Sequence, residues 1–275
     1  MYTLDFKRVG RSTLTQVAAV VSDLSERGAT PSSLMLIGAH CRDVLQYAGG
    51  FAEDGTATHD IDFAMESKNL QEFGRVTFGL HKSGDTGIRF NIAAEMVDLI
   101  PFGDISQGRG VVLRPPNGPD SINVRYLSEV FRSSLELPLP SSSPIRVPSL
   151  AGYTLLKLQA FADRIKFHRY KDFEDLVLVL RWLESTWSDG DINTDLLDRA
   201  FNHFGDNFDV SSIPIVELGL DIRKLANDSL EDVIAELPAT LDSQMEQLIF
   251  THDPARTRDL VGQWQTLMDT LTGQL

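Results

Sequence analysis

The stretch that decides the fold is "THDIDFAM", residues 58–65. Its alternation of acidic and apolar residues predicts a β-strand, on which residues two apart point to the same face. Asp60 and Asp62 would therefore place two carboxylates side by side in an otherwise apolar run. Neighbouring carboxylates repel each other, and burial increases that cost. By itself the pair is a weak sign of a site, because Asp-x-Asp is also common in turns and at exposed strand edges.

A third acidic residue, Asp98, lies in the later segment "TGIRFNIAAEMVDLIPFG", residues 86–103, which predicts two strands with a short connection. If its strand pairs beside the first, the three carboxylates converge at one edge of the sheet. A divalent cation relieves the repulsion, since Mg²⁺ prefers carboxylate oxygens. Two such ions stabilise both oxygens of a phosphoryl displacement. Asp60, Asp62 and Asp98 are thus candidate ligands for Mg²⁺, or Mn²⁺. Arg89 is expected to form a structural ion pair across the sheet.

The segment before "THDIDFAM" predicts a phosphate-binding turn. The apolar run of residues 34–37 predicts a short buried strand that ends at Gly38, and a helix follows directly. Backbone N–H groups at the start of a helix bind phosphate, and Arg42 in the first turn is placed to reach the same anion. His40 is equally well explained as a capping or core histidine. A phosphate cradle, a loop over residues 49–58 and an acidic strand together suit a nucleoside triphosphate.

The pattern of the chain changes after "LPLPSSSPIRVPS", residues 137–149, whose Pro and Ser content predicts a linker. The later segments have the apolar spacing of amphipathic helices. We therefore predict an α+β protein with two domains. Residues 1–145 would form an α/β domain, a small mixed sheet with flanking helices, and residues 146–275 a helical domain that completes the active site.

Several motifs, taken in order, resemble those of known enzymes. The segments "LIGAHCRD" (36–43), "THDIDF" (58–63) and "EMVDLIPFG" (95–103) resemble the polymerase-β-type nucleotidyltransferases. The segments "LLKLQAFADR" (155–164) and "RYKDFEDL" (169–176) resemble the AbiEii-type nucleotidyltransferases, which are toxins of bacterial toxin–antitoxin and phage-abortive systems. The resemblance spans roughly residues 34 to 180 and implies a polymerase-β-type core.

The resemblance implies a role for each matching residue. Asp60 and Asp62 match the metal-binding pair, and Asp98 matches the third acid, which binds metal and accepts the proton of the attacking hydroxyl. Lys157 matches the lysine that holds the triphosphate or stabilises the departing pyrophosphate. Asp172 and Asp175 match the acidic pair of the last motif, and Gly38 matches the turn that receives the triphosphate. Beside Gly38, Ala39 keeps a backbone contact to phosphate, and His40 and Arg42 are further candidates to bind it. Ala39 departs from the family pattern, which has Gly or Ser there, so a hydroxyl contact to phosphate is lost.

Composition limits the partners. The net charge of −14 argues against broad nucleic-acid binding, and we expect no DNA partner. Charge is uneven, with a net of +4 over residues 157–171 and −9 over residues 201–275. The basic segment is either a solvated helix face or a surface that receives an RNA end. A single cysteine, Cys41, and no membrane or signal segment favour a cytoplasmic protein without disulfides.

The sequence therefore predicts transfer of a nucleoside monophosphate from an NTP to a tRNA or protein hydroxyl, with release of pyrophosphate. A small-molecule acceptor is an alternative, and a cognate antitoxin is a possible partner. Two other hypotheses stay open. One is a catalytically idle relative that binds nucleotide or proteins, and the other is a structural protein with scattered aspartates. Asp172 and Asp175 are also explained by simple pairing with Arg169 and Lys171.

Overall fold

The structure is a computed structural model in which the chain forms two compact units. One unit comprises Leu4–Ser149, and the other comprises Leu150–Leu275 together with Met1–Thr3. The residues that the structure describes are 3–51, 60–84, 86–106, 110–113, 121–185, 194–206, 208–227, 229–238, 243–252 and 257–273. Most of the predicted loop 49–58 lies outside them.

The N-terminal unit is built on a mixed seven-stranded sheet. Its strands are β1 (Leu34–Ile37), β2 (Asp60–Glu66), β3 (His81–Lys82), β4 (Arg89–Ile92), β5 (Glu95–Phe102), β8 (Leu135–Leu139) and β9 (Ser142–Val147). They lie in the order β3-β4-β5-β2-β1-β9-β8. Neighbouring strands are antiparallel except for β2 with β5 and β1 with β9, which are parallel. A separate two-stranded ladder consists of β6 (Val111–Leu113) and β7 (Ser121–Asn123).

Four α-helices accompany the sheet in the described part of this unit. They are α1 (Arg11–Glu26), α2 (Gly38–Gly49), α3 (Leu70–Val76) and α4 (Leu127–Arg132). Helix α1 packs against β4, β8 and β9, whereas α2 packs against β1 and β2. The predicted buried strand at 34–37 is confirmed as β1, all four of whose residues are buried. Its burial fixes where the chain turns into α2, and so where the predicted phosphate-binding turn lies.

The prediction of a linker over residues 137–149 is wrong. Most of these residues belong to the β8–β9 hairpin, which forms one end of the sheet. Pro138 is accommodated because β8 is an edge strand and its pairing with β9 is irregular between Leu137 and Leu139. The opposite edge is β3, which is only two residues long. The two compact units meet in sequence after Ser149, at the start of α5.

In its described part, the C-terminal unit is helical, so the chain as a whole is of the α+β class. Helices α5, α6, α8 and α11 pack against one another, and the rings of Phe161, Phe173 and Trp264 meet at centroid distances of 5.4 to 6.4 Å. No helix in the described ranges has both the length and the apolar character to span a bilayer. The helices are α5 (Leu150–Ile165), α6 (Lys171–Ser185), α7 (Thr194–Phe204), α8 (Ile213–Leu225), α9 (Glu231–Glu236), α10 (Ser243–His252) and α11 (Thr257–Leu271).

Candidate metal and nucleotide site

Three carboxylates come together on two neighbouring strands of the sheet. Asp62 on β2 lies directly beside Asp98 on the parallel strand β5, and Asp60, two residues earlier, is on the same face. One oxygen of each carboxylate lies within 4.8 Å of the others. The expected convergence is observed, although on interior strands and not at the sheet edge. The hypothesis of a structural protein with scattered aspartates is therefore wrong.

Arg89 is a fourth member of this cluster. Strand β4 places it directly opposite Asp98, and its Nε and Nη2 donate to the two oxygens of that carboxylate, both at 2.7 Å. Nη2 also donates to Oδ2 of Asp60 at 3.1 Å. The hydrogen bonds to Asp98, followed by the attraction of Asp60 and Asp62, raise the pKa of Arg89 despite partial desolvation. The expected ion pair across the sheet is confirmed, and it involves two of the three candidate metal ligands.

The cluster has the chemistry of a divalent-cation site. Its donors are carboxylate oxygens, which Mg²⁺ prefers. The three oxygens lie within 4.8 Å of one another, and a shared Mg²⁺ would draw them closer, because neighbouring ligands of an octahedral Mg²⁺ are about 3 Å apart. The bridging guanidinium shows that Asp60 and Asp98 already take up positive charge at this place. Asp60, Asp62 and Asp98 are therefore able to hold a divalent metal ion.

Gly38 connects the cluster to the start of α2. Its φ is +66°, a conformation that costs a residue with a side chain about 1–2 kcal/mol. A Cβ at this position would lie 1.9 Å from Oδ2 of Asp62. The turn therefore requires glycine for its conformation and for the close approach of Asp62. As a result, the first backbone N–H groups of the 12-residue helix α2 lie next to the acidic cluster.

His40, in the first turn of α2, is buried, with only 7% of its surface exposed. Burial lowers the pKa of His40, opposed by Asp43 and by a hydrogen bond to the backbone of Asp60. The imidazole is consequently neutral at physiological pH. Among the described residues, Nδ1 of His40 has no hydrogen-bond partner. A buried polar atom without a partner is costly, so this nitrogen is suited to pair with a bound ligand or water.

Two other residues predicted to bind phosphate, Ala39 and Arg42, are also buried. Nε and Nη2 of Arg42 donate to Oδ1 of Asp43 at 2.9 and 2.7 Å. Its guanidinium is thus engaged by a neighbouring carboxylate in the described structure. A phosphate contact from Arg42 stays a prediction.

Lys157 and the acidic pair of the last motif form an ion-pair cluster within the C-terminal unit. Nζ of Lys157 lies 3.1 Å from Oδ1 of Asp172 and 2.6 Å from Oδ2 of Asp175. The three side chains are 12%, 4% and 5% exposed, respectively. Arg164 also donates to Asp172. The sequence suggested that the two aspartates pair with Arg169 and Lys171. The ion pairs observed are instead with Lys157 and Arg164.

Electrostatics favour the charged forms of Lys157 and Asp172 in this cluster. Burial by itself would lower the pKa of Lys157, but Asp175 and Asp172 outweigh it and raise the pKa. Burial would likewise raise the pKa of Asp172, but Lys157 and Arg164 lower it. An ion pair at this depth is costly to break because one charge would remain buried and unpaired. The cluster therefore fixes α5 against α6, and its catalytic role stays a prediction.

The remaining basic residues of the 157–171 segment surround the turn between α5 and α6. Lys166, Arg169 and Lys171 are exposed, as is Phe167, at 63%. Nζ of Lys166 lies 5.4 Å from the centroid of the Phe167 ring. Exposed cations beside an exposed aromatic ring form a surface suited to a nucleic-acid base and its phosphates.

Comparison with known proteins gives little further guidance. No protein-family model matches the chain, and no curated protein matches it in sequence. Among solved structures, the crystal structure of ANT(2")-Ia in complex with adenylyl-2"-tobramycin matches with a TM-score of 0.34 and 15% identity. That match covers 61% of this chain and 87% of the other. A likeness this loose does not assign a family, so the AbiEii resemblance stays a prediction.

Proposed function

We propose that this protein is a Mg²⁺-dependent nucleotidyltransferase that moves a nucleoside monophosphate from an NTP to an acceptor hydroxyl. The observation that carries the proposal is the convergence of Asp60, Asp62 and Asp98 within 4.8 Å. The contact of Asp62 with Gly38 adds a helix start, a preferred place for phosphate, to the same site. Metal ligands beside a phosphate-binding turn are what an NTP-dependent transfer requires.

Metal binding, proton acceptance and triphosphate binding would fall to different residues of the site. Asp60, Asp62 and Asp98 would hold the metal, which when bound supplies charge stabilisation to the phosphoryl oxygens. Asp98 would accept the proton of the attacking hydroxyl. A bond then forms between the acceptor oxygen and the α-phosphorus while the bond to pyrophosphate breaks. The N–H groups at the start of α2 would bind the triphosphate, and Nδ1 of His40, whose other ring nitrogen faces the backbone of Asp60, would accept a hydrogen bond from bound water.

The helical unit is proposed to take part in the same reaction. Lys157 would hold the triphosphate or the departing pyrophosphate, with Asp172 and Asp175 orienting its ammonium group. The short distances between these charges support the positioning role. They also mean that an incoming phosphate would have to compete with two carboxylates for Lys157.

The proposed biological role is that of a toxin in a toxin–antitoxin or phage-defence system, as the resemblance to AbiEii-type enzymes suggests. The acceptor would be a tRNA end or a protein hydroxyl. The exposed turn with Lys166, Phe167 and Arg169 favours RNA, whereas the net charge of −14 favours a protein or a small molecule. A cognate antitoxin would neutralise the activity.

The test is a transfer assay with NTPs labelled at the α-phosphate, Mg²⁺, and total tRNA or cell lysate as acceptor. We expect label in an acceptor with the unaltered protein and none with Asp60→Asn or Asp62→Asn. Asp104→Asn, which removes an exposed carboxylate of the same unit, is the matched control and should retain transfer. Transfer that survives both Asp60→Asn and Asp62→Asn would refute the mechanism.

A catalytically idle relative is the second candidate, and Arg89 favours it. The guanidinium pairs with Asp60 and Asp98 and offsets part of the charge that a metal ion would otherwise balance, as expected of a site that no longer catalyses the reaction. A folded protein that binds NTP but labels no acceptor at any Mg²⁺ concentration would support this candidate. The acidic region 201–275 would then be the first surface to test for protein partners.

A further inference from the structure

We propose that Arg89 competes with the metal ion for Asp60 and Asp98, and so controls when the metal site fills. This inference rests on the proposed function, because it concerns the same three carboxylates. It assigns Arg89 as a positioning residue that holds the acids together in the metal-free protein and gives way when a divalent cation binds.

The competition follows from the position of one atom. Nη2 of Arg89 lies 3.1 Å from Oδ2 of Asp60 and 2.7 Å from Oδ2 of Asp98. A metal ion held by Asp60 and Asp98 would draw on carboxylates that this guanidinium nitrogen already contacts. The guanidinium and the metal would therefore compete for the same two carboxylates. Either the guanidinium moves away, or the metal binds with fewer ligands.

The strand pairing fixes the position of Arg89 beside the three aspartates. Arg89 is the direct cross-strand partner of Asp98, and Asp98 is the direct neighbour of Asp62. Two strand pairings thus put a cation on the same face as the acids. The flexible arginine stem still allows movement, because the Arg89 side chain is 36% exposed and has solvent to enter. The guanidinium can leave without disturbing the strands.

Charge sets the direction of the effect. Three carboxylates and one guanidinium carry a formal charge of −2, against −3 without Arg89. The guanidinium also repels a divalent ion that approaches the site. Both effects weaken metal binding in the absence of nucleotide. The triphosphate of Mg²⁺-NTP adds negative charge and oxygen ligands, so the metal should bind more tightly together with nucleotide than alone.

The experiment measures Mn²⁺ binding to the full chain without nucleotide, by titration calorimetry and by the EPR signal of free Mn²⁺. We expect Arg89→Gln to bind Mn²⁺ about tenfold more tightly than the unaltered protein, because a repulsive charge is removed. Arg89→Lys keeps the charge but loses the two-pronged geometry, so its affinity should be intermediate. Arg132→Gln removes an exposed arginine of the same unit and should have no effect.

The outcomes separate this inference from the proposed function. Equal or weaker Mn²⁺ binding by folded Arg89→Gln, with Mn²⁺ bound by the unaltered protein, would overturn the role of Arg89 and leave the metal site intact. No Mn²⁺ binding by either protein, with or without an NTP, would overturn both. If Arg89→Gln fails to fold by circular dichroism, Arg89→Lys decides the question. Unchanged affinity in that variant also counts against competition.

Discussion

At the residue scale, the position that couples the acidic cluster to the phosphate-binding turn is Gly38. Its backbone conformation and its contact with Asp62 both exclude a side chain. The sequence predicted a tight turn here from a glycine after an apolar run. It gave no indication that a carboxylate packs against that glycine, because the contact depends on the antiparallel pairing of β1 with β2.

Replacing Gly38 with alanine should therefore damage the metal site more than the fold. The positive φ alone costs about 1–2 kcal/mol, and the new Cβ must displace the carboxylate of Asp62. We expect Mn²⁺ affinity to fall by about tenfold or more, as when a residue supporting a metal ligand is lost. Gly79→Ala is the control, since Gly79 has a similar φ of +73° and open space around it. Comparable loss of Mn²⁺ affinity in both variants would contradict this account.

At the element scale, the hairpin of β4 and β5 fixes Arg89 opposite Asp98 with an unfavourable turn. Ala93 and Ala94 connect the strands with φ values of +51° and +66°. Two-residue hairpins of this kind normally use Asn and Gly. The alternation of the flanking residues predicted both strands correctly. The turn carried no signal of its own, so strand pairing and not turn chemistry selects the register.

Ala94→Gly should consequently stabilise the N-terminal unit, by about 1 kcal/mol, because glycine adopts positive φ without strain. Urea unfolding monitored by circular dichroism would measure the change. Ala18→Gly, in the middle of α1 with ordinary helical geometry, should destabilise by about 1 kcal/mol or more. The register of Arg89 against Asp98 is retained, so Mn²⁺ affinity should not change in Ala94→Gly. Destabilisation by Ala94→Gly would show that the turn is not strained.

The ion-pair cluster between α5 and α6 shows that a sequence can indicate a need for an ion-pair partner without indicating which residue supplies it. The apolar surroundings of Lys157 indicated that it needs an anion, which proved to be Asp172 and Asp175 of the next helix. Sequence spacing suggested other cations for those aspartates because it reports only neighbours along one helix. Contacts between helices depend on how α5 and α6 pack, which the pattern of either helix alone does not specify.

Lys157→Met should lower the free energy of unfolding of the helical unit by about 3–5 kcal/mol, because two buried carboxylates lose the ammonium group that they share. All three tryptophans lie between residues 182 and 264, so tryptophan fluorescence during urea unfolding reports on this unit. The triple variant Lys157→Met, Asp172→Asn, Asp175→Asn should recover most of that loss. A single variant as stable as the unaltered protein would show that the cluster serves function and not structure.

The same cluster should make the helical unit sensitive to acid. The pKa of Asp172 is lower in the folded protein than its ordinary value of about 4. Its contribution to stability is therefore complete above about pH 4 and disappears as the pH falls through the lowered folded value. Fluorescence-detected urea unfolding should show stability falling as the pH is lowered below about 4. That part of the acid dependence should be absent from the triple variant.

At the scale of the whole molecule, each of the two compact units carries one of the two charged clusters. The acidic cluster lies in Leu4–Ser149, and the buried Lys157 cluster lies in Leu150–Leu275. The two halves of the predicted chemistry are thus carried by separate compact units. The change to amphipathic helices indicated this division in the sequence. The Pro and Ser content of residues 137–149, however, led to a linker being predicted where β8 and β9 form a hairpin. Proline and serine content does not distinguish a linker from an edge hairpin.

Hydrogen–deuterium exchange would test whether both units respond to nucleotide. With Mg²⁺ and a non-hydrolysable NTP, we expect slower exchange at the start of α2 and also around Lys157 in α5, because bound ligand suppresses local opening. Asp62→Asn should abolish both effects. Protection confined to the N-terminal unit would remove Lys157, Asp172 and Asp175 from the proposed active site and leave the metal-binding residues in place.

The two ends of the sheet have a consequence for how copies of this chain meet one another. A seven-stranded sheet with long, flat edges would offer unpaired backbone groups to the strands of a second molecule. Here one edge is a two-residue strand carrying His81 and Lys82, and the other is interrupted at Pro138. Neither end is a good template for intermolecular strand addition. Copies of this chain should therefore resist joining edge to edge through this sheet, even when they are crowded together.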